Sequence, residues 1–266
     1  MSSFAVHPFL TGLAISFAVL LVVFVGAWLV ALVVGRFNIV DVVWGMAFVI
    51  VAIVGFGWSA GHSVPGWRRA LVLALVAVWG LRLSAYIGVR SHGKGEDPRY
   101  EAMLGTGPHR ALRALGIVFL LQAVVAWFVS LPVQAAMYIR TGWSWLAVVG
   151  VVAWLVGLFF EAVGDAQMAA FRRDPSRRGE VMDRGLWRYT RHPNYFGDAT
   201  VWAGLYLVAA EHWIGALTIG SPLLMSWFLS FKTGKPLLEK QMARTKPGYA
   251  EYMRRTSGFF PLPPRG

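Results

Sequence analysis

The chain alternates long apolar runs with short, arginine-rich polar intervals. A bilayer core about 30 Å thick needs roughly 20 apolar residues per helix. Seven runs fit or approach that length: Phe9–Gly35, Ile39–Gly61, Ala70–Val89, Ala114–Tyr138, Trp143–Phe171, Tyr195–Ala210 and Trp213–Phe231. The sixth is short and begins inside a polar motif. The pattern predicts an all-α polytopic membrane protein of about seven transmembrane helices. It leaves no room for a separate soluble domain. Residues 1–266 therefore read as a single membrane domain, with polar loops 90–113 and 172–194 and a polar tail 232–266. The first run has no preceding Lys or Arg and is longer than a signal-peptide core, so a spanning helix rather than a cleaved leader is expected.

Composition supports lipid as the solvent. Hydrophobic residues make up 57% and charged residues only 14%, against about 25% charged in soluble domains. The net charge of +12 would suggest nucleic acid on a soluble chain. Here its distribution gives a topology instead. With the N-terminus outside, 21 of the 25 Lys and Arg fall in inside segments and three in outside segments. That asymmetry predicts a cytoplasmic C-terminus in an integral membrane protein, most simply of a bacterial inner membrane. The expected partners are the bilayer and a hydrophobic lipid or steroid-like substrate, with no nucleic acid and a monomeric chain. The absence of cysteine removes disulfides, thiolate metal sites and a cysteine nucleophile. None of the six histidines has a partner at helical ligand spacing, so no metal site is expected.

Ionisable residues within spans are costly and mark cavities or partners. Asp41, Arg82, Glu161, Asp165 and Asp198 stand out. Glu161 and Asp165 are four apart and share a helix face, as do Asn194 and Asp198, and Arg82 and Tyr86. One polar cavity toward the cytoplasmic half is the economical expectation, with interhelical ion pairs as the plainer alternative. Asp41, at the start of the second span, reads equally as an interfacial cap. The segment from Gly185 to Asp198 is the richest in polar chemistry. Arg188 and Arg191 can grip phosphate through paired hydrogen bonds, with His192 and Asn194 adding polar contacts.

Arg191-His192-Pro193-Asn194-Tyr195-Phe196-Gly197-Asp198 resembles the C-terminal signature of the membrane steroid 5-alpha-reductase superfamily. The closer likeness is to its bacterial branch, the domain of unknown function DUF1295. Asp41-Val42-Val43-Trp44-Gly45, Trp79-Gly80-Leu81-Arg82-Leu83, the stretch from Gly93 to Tyr100, and the tail from Pro236 to Pro261 extend it over most of the chain. The resemblance implies seven helices, NADPH bound from the cytoplasmic side, and reduction of a carbon–carbon double bond in a lipid. By motif position it implies cofactor contacts at Glu161, Asp165 and Arg172, at Arg82, Asn194, Tyr195 and Asp198, and at Lys94. One departure matters. Aligned on Arg82, Trp79 stands where the eukaryotic reductases carry the tyrosine that helps hold a 3-oxo group. An indole is no practical proton donor. Asp41 and Tyr86 are therefore the catalytic candidates.

Isoprenylcysteine and phospholipid methyltransferases share the short Arg-His-Pro-x-Tyr element. An S-adenosylmethionine-dependent lipid methyltransferase thus remains the alternative enzyme, and a transporter the alternative outside enzymology. The topology is directly testable. A reporter fused after Gly266 should be active in its cytoplasmic form, and a periplasmic result would reverse every loop assignment.

Overall fold

A computed structural model describes residues 3–142, 144–232 and 235–265, and the described chain is helical without strands. The helices are α1 (Val6–Val34), α2 (Ile39–Trp58), α3 (Gly66–Ser91), α4 (Pro98–Leu104), α5 (Arg110–Ala114), α6 (Leu121–Val129), α7 (Leu131–Ala136), α8 (Trp145–Arg173), α9 (Pro193–Ala209), α10 (Trp213–Ala216), α11 (Gly220–Trp227), α12 (Lys235–Thr245) and α13 (Tyr249–Arg255). A π-helical stretch, Leu115–Leu120, joins α5 to α6.

Six helical segments among the described residues are long and apolar enough to cross a membrane: Val6–Val34, Ile39–Gly61, Gly66–Ser91, Arg110–Val129, Trp145–Arg173 and Trp213–Ser230. The expectation of about seven is met by six at full length. The sixth predicted span is α9, whose 17 residues extend only about 25 Å. Pro193 sets its start, and the residues it buries against the protein include Val201, Trp202, Leu205, Val208 and Ala209. Its apolar character thus comes largely from packing on protein.

Packing gathers the chain into two compact units, Met1–Trp143 with Ala209–Thr218, and Ser144–Val208 with Ile219–Gly266. In the first, α2 and α3 cross where two glycines meet. A methyl group on Gly45 would lie 2.4 Å from the Gly80 carbonyl oxygen, and one on Gly80 would lie 2.5 Å from that of Gly45. A buried ion pair, Arg68 Nη1 to Glu211 Oε2 at 2.6 Å, ties the returning segment into this unit. The N-terminal segment is fastened by Ala5 N donating to Tyr138 O at 3.0 Å and Arg140 N donating to Ser3 O at 2.9 Å.

The second unit rests on a longer glycine seam. Gly150, Gly157 and Gly164 recur every seven residues on α8, and Gly197 and Gly204 do so on α9. A Cβ on Gly157 would sit 2.5 Å from Val201 N and 2.6 Å from Gly197 O. On Gly204 it would sit 2.5 Å from Gly150 O. Small residues let helix backbones approach closely where lipid supplies no hydrophobic drive for association. Replacing Gly157 with valine should therefore cost about 3 kcal/mol or more through overpacking. Gly26 on α1 has no neighbouring atom within 4 Å of its would-be Cβ, so Gly26→Ala should be neutral or slightly stabilising. Thermal unfolding in detergent tests the contrast; equal midpoints for the two variants would refute the seam.

Candidate functional site

The seam brings together the acids that α8 and α9 carry. Glu161 and Asp165 lie 16 and 20 residues into α8, about 24 and 30 Å from its start. The exposed Trp145 marks that start. Both acids therefore sit past the midpoint of the 29-residue helix, on the half that leads to the polar loop 172–194. Glu161 and Asp165 are buried, as is Asp198 on α9. Asn194 Nδ2 donates to Asp165 Oδ1 at 3.3 Å. A methyl group on Gly197 would strike the Glu161 backbone nitrogen at 2.5 Å, which places Glu161 directly beside the first turn of α9. Glu161, Asp165 and Asn194 thus occupy one end of a rigid helix pair. Arg172 lies on the last turn of α8, seven residues beyond Asp165, and is exposed. Two helical turns separate the two residues, about 10 Å along one face.

The loop between these helices folds back on α8. Trp187 Nε1 donates to Gly164 O at 3.0 Å, and Leu186 N donates to Gln167 Oε1 at 2.9 Å. Gly185 takes φ +58 at that turn, where a side chain would be strained. Arg191 and His192 follow, and the anion they hold is the chain's own Glu239. Arg191 Nε lies 2.8 Å from Glu239 Oε1, and His192 Nε2 is 3.0 Å from the same oxygen. Arg191 Nη1 also donates to the Met253 carbonyl at 3.0 Å and to that of Thr256. Two of its three guanidinium nitrogens thus bind the C-terminal segment. Further bonds complete the clamp: Arg191 N to Ser257 O at 2.9 Å, Thr190 Oγ1 to Phe259 O at 2.8 Å and Leu262 N to Tyr189 O at 3.0 Å. Tyr195 stacks on His192 with ring centroids 5.1 Å apart. Arg188 is exposed and faces a separate cleft.

In the first unit, Asp41 lies in the first turn of α2, at the end of its span. Tyr100 Oη donates to Asp41 Oδ1 at 2.5 Å, and Arg99 Nη2 lies 3.3 Å from Oδ2. Arg99 also grips Asp97 through Nε and Nη2 at 3.0 and 2.9 Å. Those bonds hold the Asp97 carboxyl below its usual range. Burial, with the Asp41 charge, pushes the Tyr100 phenol well up, so it stays protonated and donating. The neighbouring Glu96 accepts from Phe37 N at 2.6 Å and from Asn38 N at 3.0 Å, stitching the loop to the turn before α2. Lys94 is exposed, and its carbonyl accepts from Arg36. On α3, Arg82 is half-buried, and Tyr86 lies beneath the Arg90 guanidinium, 5.7 Å from its ring centroid. Trp79 is fully buried with its ring edge-on to Phe48 at 5.4 Å. Among the described residues no group of three or more His, Asp or Glu side chains is arranged to hold a metal ion.

Sequence reasoning missed the roles of four residues. Glu96, Arg99 and Tyr100 belong to the stretch from Gly93, and Glu239 to the tail from Pro236, both noted only for their likeness to the family pattern. Helical spacing gives no hint of partners that are 59 and 48 positions away.

Burial alone would raise the Glu239 carboxyl, but hydrogen bonds and charges from His192 and Arg191 bring it down to about 2. Its folded-state value lies below its ordinary 4.5. The clamp's stabilisation is therefore complete above that pH and is lost as pH falls toward about 2. Protease susceptibility of the tail should rise through this acid window, and Glu239→Gln should raise it already at neutral pH. A tail equally protected in wild type and variant would refute the clamp.

An uncharacterized protein of Schizosaccharomyces pombe is 22% identical over 290 residues, spanning 96% of this chain and 80% of the yeast protein. The Arabidopsis thaliana steroid 5-alpha-reductase DET2 is 32% identical over 72 residues, covering 27% of each chain. No solved structure matches. Residues 27–256 match the family described as "Protein of unknown function (DUF1295)", a stretch that includes nearly every residue of both clusters, and the chain belongs to that family.

Proposed function

We propose that this protein is an NADPH-dependent membrane reductase that saturates a carbon–carbon double bond in a lipid or steroid-like substrate. The observation that carries the reading is the buried pair Glu161 and Asp165 with the half-buried Asn194 bonded to it on the α8–α9 seam, and Arg172 two turns further on. Buried carboxylates accept from ribose hydroxyls, an amide can pair with a carboxamide, and an exposed guanidinium suits a phosphate. The donor set therefore fits a dinucleotide. Asp198 and Tyr195 extend it on α9, and Arg82 and Lys94 are assigned to the cofactor by motif position. Partial likeness to a plant steroid 5-alpha-reductase supports the same chemistry.

When bound, the dinucleotide supplies hydride. The protein's own task is to orient the reactants, exclude water and place a proton donor. Asp41 is the first assignment for that donor, acting in its protonated form, with Tyr86 second. Tyr100 has a positioning role, since its phenol donates to Asp41 and fixes the carboxyl. Trp79 is packed in the core, which is consistent with moving the acid function away from that position. The reading takes loops 90–113 and 172–194 and the tail as cytoplasmic, the side on which the nucleotide would enter.

Titration of the purified protein with NADPH, NADH and S-adenosylmethionine tests the reading. NADPH should bind most tightly, because surplus arginines suit an extra phosphate. Asp165→Ala should weaken NADPH about tenfold or more, on the order of 1.4 kcal/mol, with little change in unfolding temperature. Normal NADPH binding with a lowered unfolding temperature would make Asp165 a structural partner instead. Preference for S-adenosylmethionine would replace the reductase with a methyltransferase.

A further inference from the structure

A second polar feature lies apart from the acid–amide group. Arg184, Arg188, Arg255 and Arg265 line a cleft of about 530 Å³, with Asp183 as its acid. Its walls are fixed by the backbone. The turn Gly185–Arg188 places Arg184 and Arg188 four apart. Tyr252 Oη donates to the Trp187 carbonyl, and Arg265 N donates to Arg255 O at 2.8 Å, laying the last residues along the opposite side. Two of the four guanidinium groups have acids nearby. Arg255 Nη2 is 2.6 Å from Asp183 Oδ2, and Arg184 Nη2 is 3.7 Å from Glu180 Oε2. The side chains of Arg188 and Arg265 are exposed and have neither hydrogen bond nor ion pair among the described residues.

Like charges gathered in a concave site repel one another unless an anion joins them. A phosphate offers several acceptor oxygens in a geometry that guanidinium groups match. The cleft falls in the size range of small-molecule sites, roughly 300–1,000 Å³, so it admits a whole headgroup rather than a bare ion. Its neighbours point to the source. Phe260 and Leu262, just before the lining residue Pro264, are 64% and 54% exposed. The Phe260 ring lies 6.1 Å from that of Phe196, which lies 5.0 Å from Phe160 on the spanning helix α8. An apolar path thus runs from the lipid-facing helix to the rim of the arginine cleft.

We propose that this cleft binds the phosphate headgroup of an anionic membrane phospholipid, with Phe260 and Leu262 against the acyl region, and so fastens the C-terminal tail to the bilayer surface. The inference does not depend on the reductase reading. Basic clusters beside spanning helices attract anionic lipids, and here the cluster has a fixed shape.

Native mass spectrometry of the full-length protein tests it, with phosphatidylglycerol and phosphatidylcholine of equal chain length as probes. Wild type should retain phosphatidylglycerol preferentially. The double variant R188Q/R265Q should lose that preference by about tenfold, and R188K/R265K should keep part of it. Neither guanidinium has a partner within the described chain, so folding should be unchanged, and circular dichroism checks this. Addition of inorganic phosphate or NADPH at millimolar level should leave the bound lipid in place. Equal retention of the two lipids, an unchanged preference in R188Q/R265Q, or displacement by phosphate or NADPH would overturn the proposal; displacement would assign the cleft to a soluble phosphate compound.

Discussion

The second unit depends on how closely two backbones approach. At Gly157, Gly197 and Gly204 even one added carbon would come within about 2.5 Å of a main-chain atom on the facing helix. Such proximity is what brings short polar side chains within reach of one another. Asn194 can bond Asp165 only because the first turn of α9 lies directly on α8. Were the helices separated by larger side chains, the acids on α8 would face lipid, where an unpaired charge is costly. The glycine seam and the acid–amide group are therefore one construction, the apolar half making the polar half tolerable.

The same economy governs the loop that follows α8. Arginine there can serve topology, phosphate binding or structure, and geometry separates the roles. Arg191 is committed to Glu239 and to carbonyls of the C-terminal segment. Arg172 is exposed on a helix end, and Arg188 on a cleft wall. A count of positive charge treats the three as equivalent. The acid pH dependence expected of the tail clamp belongs to the first of the three, which with His192 holds the Glu239 carboxylate far below its ordinary range.

Much of this was legible in the sequence. Hydropathy located every full-length spanning helix, since a run of some 20 apolar residues has little alternative to a membrane span. The Arg191-to-Asp198 motif marked the start of α9, and the four-residue spacing of Glu161 and Asp165 predicted their shared face. The shortness of α9 was less legible, because residues buried against protein and residues exposed to lipid are equally apolar. Asp41 reads from sequence as either a cap or a site, but its partners do not show there: Arg99 and Tyr100 reach it from helix α4. Glu239 escaped for the same reason. Long-range ion pairs leave no periodicity, whereas the glycines at seven-residue intervals did, and could have been read as a packing seam.

The position of the acids along their helices carries one more consequence. Asp41 is in the first turn of its span, while Glu161 and Asp165 lie past the midpoint of theirs, on the half that leads to the polar loop. Helix ends are where water and hydrocarbon meet, so a charge there is less costly than at mid-membrane while still bordering apolar surface. Chemistry between a charged, water-borne nucleotide and a lipid needs both media within a few residues of one another. A site at mid-membrane would have to dehydrate the phosphates, and a site in a cytoplasmic loop would have to extract the lipid. Acids placed between the middle of a span and its polar end lessen both costs, which is a physical reason a reductase of lipids would place them there.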